Sequence, residues 1–120
     1  FRLADAYLMY AEAALRGGGG SPATALQYVN ALRTRAGAPT ITQSELTVDF
    51  LLDERARELF WEAHRRTDLI RYGRFTGGTK LWQFKGGVQG GRATEAFRNL
   101  YPIPAAELAA GPGLVQNTGY

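Results

Sequence analysis

The chain has 120 residues, 45% of them hydrophobic, with fourteen Lys plus Arg against eleven Asp plus Glu, a net charge of +3 and no cysteine. That length suits one core and not two independent domains. No run of about 18 apolar residues offers a membrane span, and disulfides, thiolate chemistry and cysteine-based metal sites are excluded.

A pI near 9.5 invites a nucleic-acid reading. The densest arginine region, 54–74, argues against it: Glu54, Glu58, Glu62 and Asp68 are interleaved with its basic residues, where a phosphate-tracking surface needs a continuous positive stripe. Nucleic acid is therefore not an expected partner.

The chain opens on "FRLADAYLMYAEAAL", already inside an amphipathic pattern and without an initiator methionine, so it reads as an excised C-terminal piece whose targeting signals lie upstream. Leu3, Tyr7, Ala11, Ala14 and Leu15 recur at helical spacing until Gly17 to Gly20 stop them, which predicts a helix over 2–16. Ser21 as N-cap and Pro22 at the first helical position start a second helix, 22–36, whose stripe is Ala25, Leu26, Val29, Leu32 and Ala36, ending at Gly37. Small residues at Ala4, Ala11, Ala14 and Ala25 let two antiparallel helices approach, and the short glycine turn forces a helical hairpin that resembles a tetratricopeptide unit.

Thr42 and Glu45 have capping-box spacing, with Ile41 and Leu46 placed as a hydrophobic staple, so a long third helix is predicted over 43–72. Val48, Leu51, Leu52, Ala56, Leu59, Ala63 and Ile70 share one face of it, and Arg55, Glu62 and Arg66 project within the same arc. Glu62 with Arg66 is an i, i+4 pair and Asp68 with Arg71 an i, i+3 pair. Arg55, Glu62, Arg66, Asp68 and Arg71 are thus expected to form a structural ion-pair cluster that fixes helix register.

Catalytic and metal motifs fail on spacing. The residue three before His64 is Trp61, so no Glu-x-x-His di-metal motif exists, and one histidine cannot make H-E-x-x-H. Ser21 and Ser44 read as helix-terminal residues, and Glu54, Glu58 and Glu62 lie among arginines that favour ionisation over the raised pKa a glycosidase acid needs. In "GRFTGGTK" Thr79 stands where a phosphate loop needs lysine, and "GGVQGG" lacks dinucleotide spacing. No enzyme activity, cofactor or metal is expected. Residues 76–120 read as an irregular extension, with a short helical turn begun by Pro104. "LWQFK" places Trp82 in a long loop, where it either covers the helices or stacks on a sugar ring; it is the one candidate ligand contact.

Four segments in order, "RLADAYLMYAEAAL", "YVNALRTRAG", "DERARELFWEAHRRTDLIRYGRF" followed by "LWQFKGG", and "LYPIPAAEL" with "GLVQNTGY", resemble the C-terminal part of the SusD/RagB family of outer-membrane nutrient-binding lipoproteins. Ala63 stands where that family usually has glycine, Gly111 and Gly113 where it often has asparagine, and Thr118 where it often has proline. The resemblance implies an all-α fold in which tetratricopeptide-like hairpins act as scaffold. It also implies a surface location through an N-terminal lipid anchor absent from this chain, and capture without catalysis of a glycan or other polymeric nutrient for a SusC-like TonB-dependent transporter. The alternative is a helical-repeat adaptor that binds a protein partner through the hairpin groove.

Overall fold

The structure, a computed structural model, describes residues 2–120. Five α-helices follow one another: α1 (Leu3–Leu15), α2 (Pro22–Arg35), α3 (Val48–Glu58), α4 (Arg65–Arg71) and α5 (Ala105–Ala110), with short 3₁₀ turns at Lys85–Gly87 and Ala96–Asn99. Among the described residues there is no strand, only an isolated antiparallel bridge between Gly77 and Thr94, and no helix is long and apolar enough to cross a membrane. The chain divides into two compact units, Phe1–Asp68 and Leu69–Tyr120.

In the first unit the expected hairpin forms. Ser21 Oγ accepts the Thr24 N–H at 3.4 Å as N-cap of α2, with Pro22 opening the helix. At the end of α1, Gly17 takes φ +80°, and the Gly18 N–H returns to Ala13 O at 2.8 Å. The same Schellman closure recurs at Gly37 and Gly73, each at positive φ where a Cβ is costly. Ala4, Leu8 and Ala11 of α1 meet Ala25, Val29 and Leu32 of α2, with Leu46 and Leu51 completing the core. The buried stripe of α1 is thus rotated from the predicted one: Leu8 is fully buried and Leu3 is 67% exposed. Tyr7 stacks on Tyr28 at 4.2 Å between centroids, and Tyr10 meets the same ring edge-on.

The single helix over 43–72 is corrected on two counts. Glu45 does not cap it; its carboxylate accepts both the Thr42 N–H (2.8 Å) and the Thr42 hydroxyl (2.7 Å), which closes a turn on itself. Thr47 is the N-cap instead, its Oγ1 accepting the Phe50 N–H at 3.0 Å. The helix then stops at Glu58 and restarts at Arg65, with Trp61 and Ala63 both in the left-handed region at φ +65° and +62°. Ala63 is the position where the resemblance leads one to expect glycine, and its backbone explains why.

In the second unit the chain is held by side chains acting on the backbone. Gln116 Oε1 accepts the Ile103 N–H (2.8 Å) and its Nε2 donates to Ile103 O (2.9 Å), while Asn117 Nδ2 donates to Tyr101 O (2.7 Å) and the Tyr120 hydroxyl to Leu100 O (2.8 Å). "LYPIP" and "QNTGY" are therefore two halves of one strap, in which amides supply the pairing that Pro102 and Pro104 cannot donate to. Pro104 then opens α5 as expected.

Candidate functional site

The buried charges of the first unit centre on Arg55, which is 4% exposed. Its Nε–H donates to Asp68 Oδ2 at 2.8 Å, and its Nη1 forms an ion pair with Asp5 Oδ1 at 2.9 Å. Burial disfavours the guanidinium charge, but Asp68 and then Asp5 outweigh it and raise the pKa. One cation thus ties α1, α3 and α4 together. Beside it, buried Glu54 receives Arg33 from α2 (2.9 Å) and Arg57 from its own helix (2.6 Å), and both guanidinium groups lie over the Phe50 ring.

The expected cluster is thus only partly assembled. Arg55 and Asp68 come together, but Glu62 belongs to neither Arg55 nor Arg66: it is exposed and accepts Arg2 Nε at 3.0 Å and Nη2 at 2.5 Å. The reason is the helix break at residue 59, which removes the i, i+4 geometry. The hydrogen bonds from Arg2 lower the Glu62 pKa and keep it ionised. Arg66 is half-buried in α4, and the Arg71 guanidinium lies 4.9 Å from the Tyr72 ring centroid. Asp5, Glu54 and Arg2 were missed because the partners that hold them across the fold, Arg55, Arg33 and the Glu58 and Glu62 carboxylates, are 21 to 60 positions away, beyond any local spacing rule. His64 is half-buried, and among the described residues no cluster of His, Cys, Asp or Glu could hold a metal.

The break also exposes Phe60 (73%) and Trp61 (92%), whose rings lie 6.1 Å apart beside a cavity of about 380 Å³ bounded by Leu59 and Arg65.

In the second unit Trp82 is 38% exposed, close to Phe75 (6.5 Å between centroids) and to the Lys85 ammonium (4.6 Å from its ring). Lys85 is buried, and its Nζ donates to Gly77 O (2.8 Å) and Lys80 O (2.7 Å). Burial lowers its pKa, since its partners are neutral carbonyls and a ring. This lysine pins the two ends of the loop under Trp82. At Gly91 an added Cβ would stand 2.4 Å from Trp82 O, so only glycine fits there. The loop further borders an open depression of about 540 Å³ lined by Gly86, Arg92, Thr94, Glu95 and Arg98. Sequence reasoning singled out Trp82 but neither Lys85 nor the depression, which depend on how the loop folds back.

The sequence matches the model of the SusD family over residues 1–120. The chain belongs to the SusD family. It is 42% identical over 120 residues to the starch-binding protein SusD of Bacteroides thetaiotaomicron, covering 100% of this chain and 21% of that protein. Among solved structures it resembles surface glycan-binding protein A from Bacteroides thetaiotaomicron, with TM-score 0.79 and 32% identity over 98% of this chain and 24% of the other. It also resembles a SusD superfamily protein from Bacteroides vulgatus, with TM-score 0.72 and 32% identity over 100% of this chain and 27% of the other. The chain therefore spans about a fifth to a quarter of the length of the SusD-family proteins it matches.

Proposed function

We infer that the chain is a portion of a cell-surface glycan-binding protein that captures sugar polymers for uptake and does not cleave them, this segment serving mainly as scaffold. The observation that carries this reading is the family match over the whole chain, with 42% identity to a starch-binding protein. The lipid anchor, the outer-membrane location and the SusC-like TonB-dependent transporter partner follow from the family resemblance. Binding without turnover is supported by the same family match.

Trp82 is the proposed sugar contact, since a partly exposed indole on a pinned loop presents apolar area to a pyranose ring at little entropic cost. The test is titration of maltooligosaccharides into the full-length parent and its Trp82→Ala variant, with products followed over hours. Saturable binding weakened by the substitution, with no released sugar, is expected. Released products would overturn the non-enzymatic reading, and unchanged affinity would remove Trp82 from the site.

A further inference from the structure

Lys85 is 3% exposed, and its Nζ donates to Gly77 O at 2.8 Å and to Lys80 O at 2.7 Å. The backbone repeats the closure: the Lys85 N–H donates to Trp82 O at 3.1 Å, and Lys85 O accepts the Arg92 N–H at 3.0 Å. Gly91 packs so closely on the same Trp82 carbonyl that a Cβ has no room there. The ammonium is therefore held in one place, 4.6 Å from the centroid of the Trp82 ring.

Its charge is not neutralised where it sits. Arg2, Arg33, Arg55 and Arg57 each hold a carboxylate in the first unit. Among the described residues, Lys85 has two neutral carbonyls, an indole ring and no ion pair. A buried cation is screened little by water or salt, and its field extends beyond a ring only a few ångströms away. Trp82 is 38% exposed, so a ligand can reach the part of the indole that Lys85 leaves open. A group stacking there meets apolar area with a positive charge close by. A neutral sugar ring gains the apolar contact without penalty, whereas a cationic one is repelled and finds the ring's π-electrons already engaged by an ammonium.

We propose that Lys85 is a positioning and specificity-determining residue for the Trp82 contact, holding the indole in place for neutral sugar rings and rejecting cationic amino sugars. This rests on the reading of Trp82 as a sugar contact given above.

The test is calorimetric titration of the full-length parent with maltotriose and with its analogue bearing an amino group in place of each 6-hydroxyl, a cation at neutral pH. Wild type is expected to bind maltotriose at least about fivefold more tightly, and the preference should persist as salt is raised because the buried charge is poorly screened. Lys85→Gln, which keeps amide donors for the loop carbonyls and carries no charge, should bring the two affinities together. A purely structural tether would instead weaken both ligands alike and leave their ratio unchanged. Equal affinities in wild type would overturn the role without recourse to any variant, as would a preference that survives Lys85→Gln. Trp82→Ala separates this role from the contact it acts through. Maltotriose binding weakened by that substitution, with the amino analogue bound equally well by wild type, overturns the Lys85 role and leaves the contact standing. Maltotriose binding that is indifferent to Trp82→Ala overturns the contact, and the Lys85 role with it.

Discussion

Arg55 Nε–H donates to Asp68 Oδ2 over 2.8 Å although thirteen positions separate the two residues. In a continuous helix, thirteen residues at about 1.5 Å each would hold them about 20 Å apart. The pair therefore requires the chain to turn back between α3 and α4, and the left-handed residues Trp61 and Ala63 are the turn that allows it. Arg65 reinforces the same closure by donating to Leu52 O at 2.7 Å.

Removing Arg55 would leave Asp5 and Asp68 buried without their cation. Arg55→Met is expected to cost about 3–5 kcal/mol, read as a lowered urea midpoint. Glu62→Ala, at an exposed carboxylate paired with Arg2, should lower the midpoint far less. Equal effects from the two substitutions would mean that the buried pair is not what closes the turn.

Ala63 sits at φ +62°, a conformation that costs a residue with a Cβ about 1 kcal/mol or more and glycine little. Ala63→Gly should therefore stabilise the chain by about 0.5–1 kcal/mol after the added entropy of the unfolded chain is allowed for. A lower denaturation midpoint would count against the strained turn.

The start of α3 can be located by its caps. Thr47→Ala should cost about 1 kcal/mol and reduce helicity by circular dichroism, because it removes the acceptor for the Phe50 N–H. Thr42→Ala should alter helicity far less, since Thr42 closes only the preceding turn. The reverse order would restore the longer helix.

Arg2 depresses the Glu62 carboxyl below its ordinary value near 4.5. Below that value the unfolded chain binds the proton more readily than the folded one, so the stabilisation is complete above about pH 4.5 and is lost as pH falls through the lowered folded value. Denaturation midpoints taken from pH 7 to pH 3 should show the gap between wild type and Glu62→Gln closing in the acid range. A gap that stays constant with pH would show that Arg2 and Glu62 are not coupled in the fold.

The hairpin was readable because its determinants are local: Ser21 and Pro22 at one end of α2, Gly37 at the other, and alanines at helical spacing between facing helices. The break after α3 was not readable. Between Leu59 and His64 there is neither glycine nor proline, and the apolar pattern continues through Ala63 and Ile70. What ends the helix there is a buried pair formed with Asp68 and Asp5, invisible to any window along the chain. The candidate site divides in the same way. Trp82 stood out as an aromatic residue in a glycine-rich loop, whereas the burial of Lys85 depends on two backbone carbonyls, and the depression depends on Gly86 meeting Arg92.

The two tryptophans fall one to each compact unit, Trp61 in the first and Trp82 in the second. Trp61 is almost wholly in water, whereas Trp82 is partly covered and has an ammonium group 4.6 Å from its ring. Their indole emission should accordingly differ in wavelength, with Trp61 to the red. Replacing either one with phenylalanine leaves a single chromophore, so the fluorescence of one polypeptide can follow each half separately, without any attached dye.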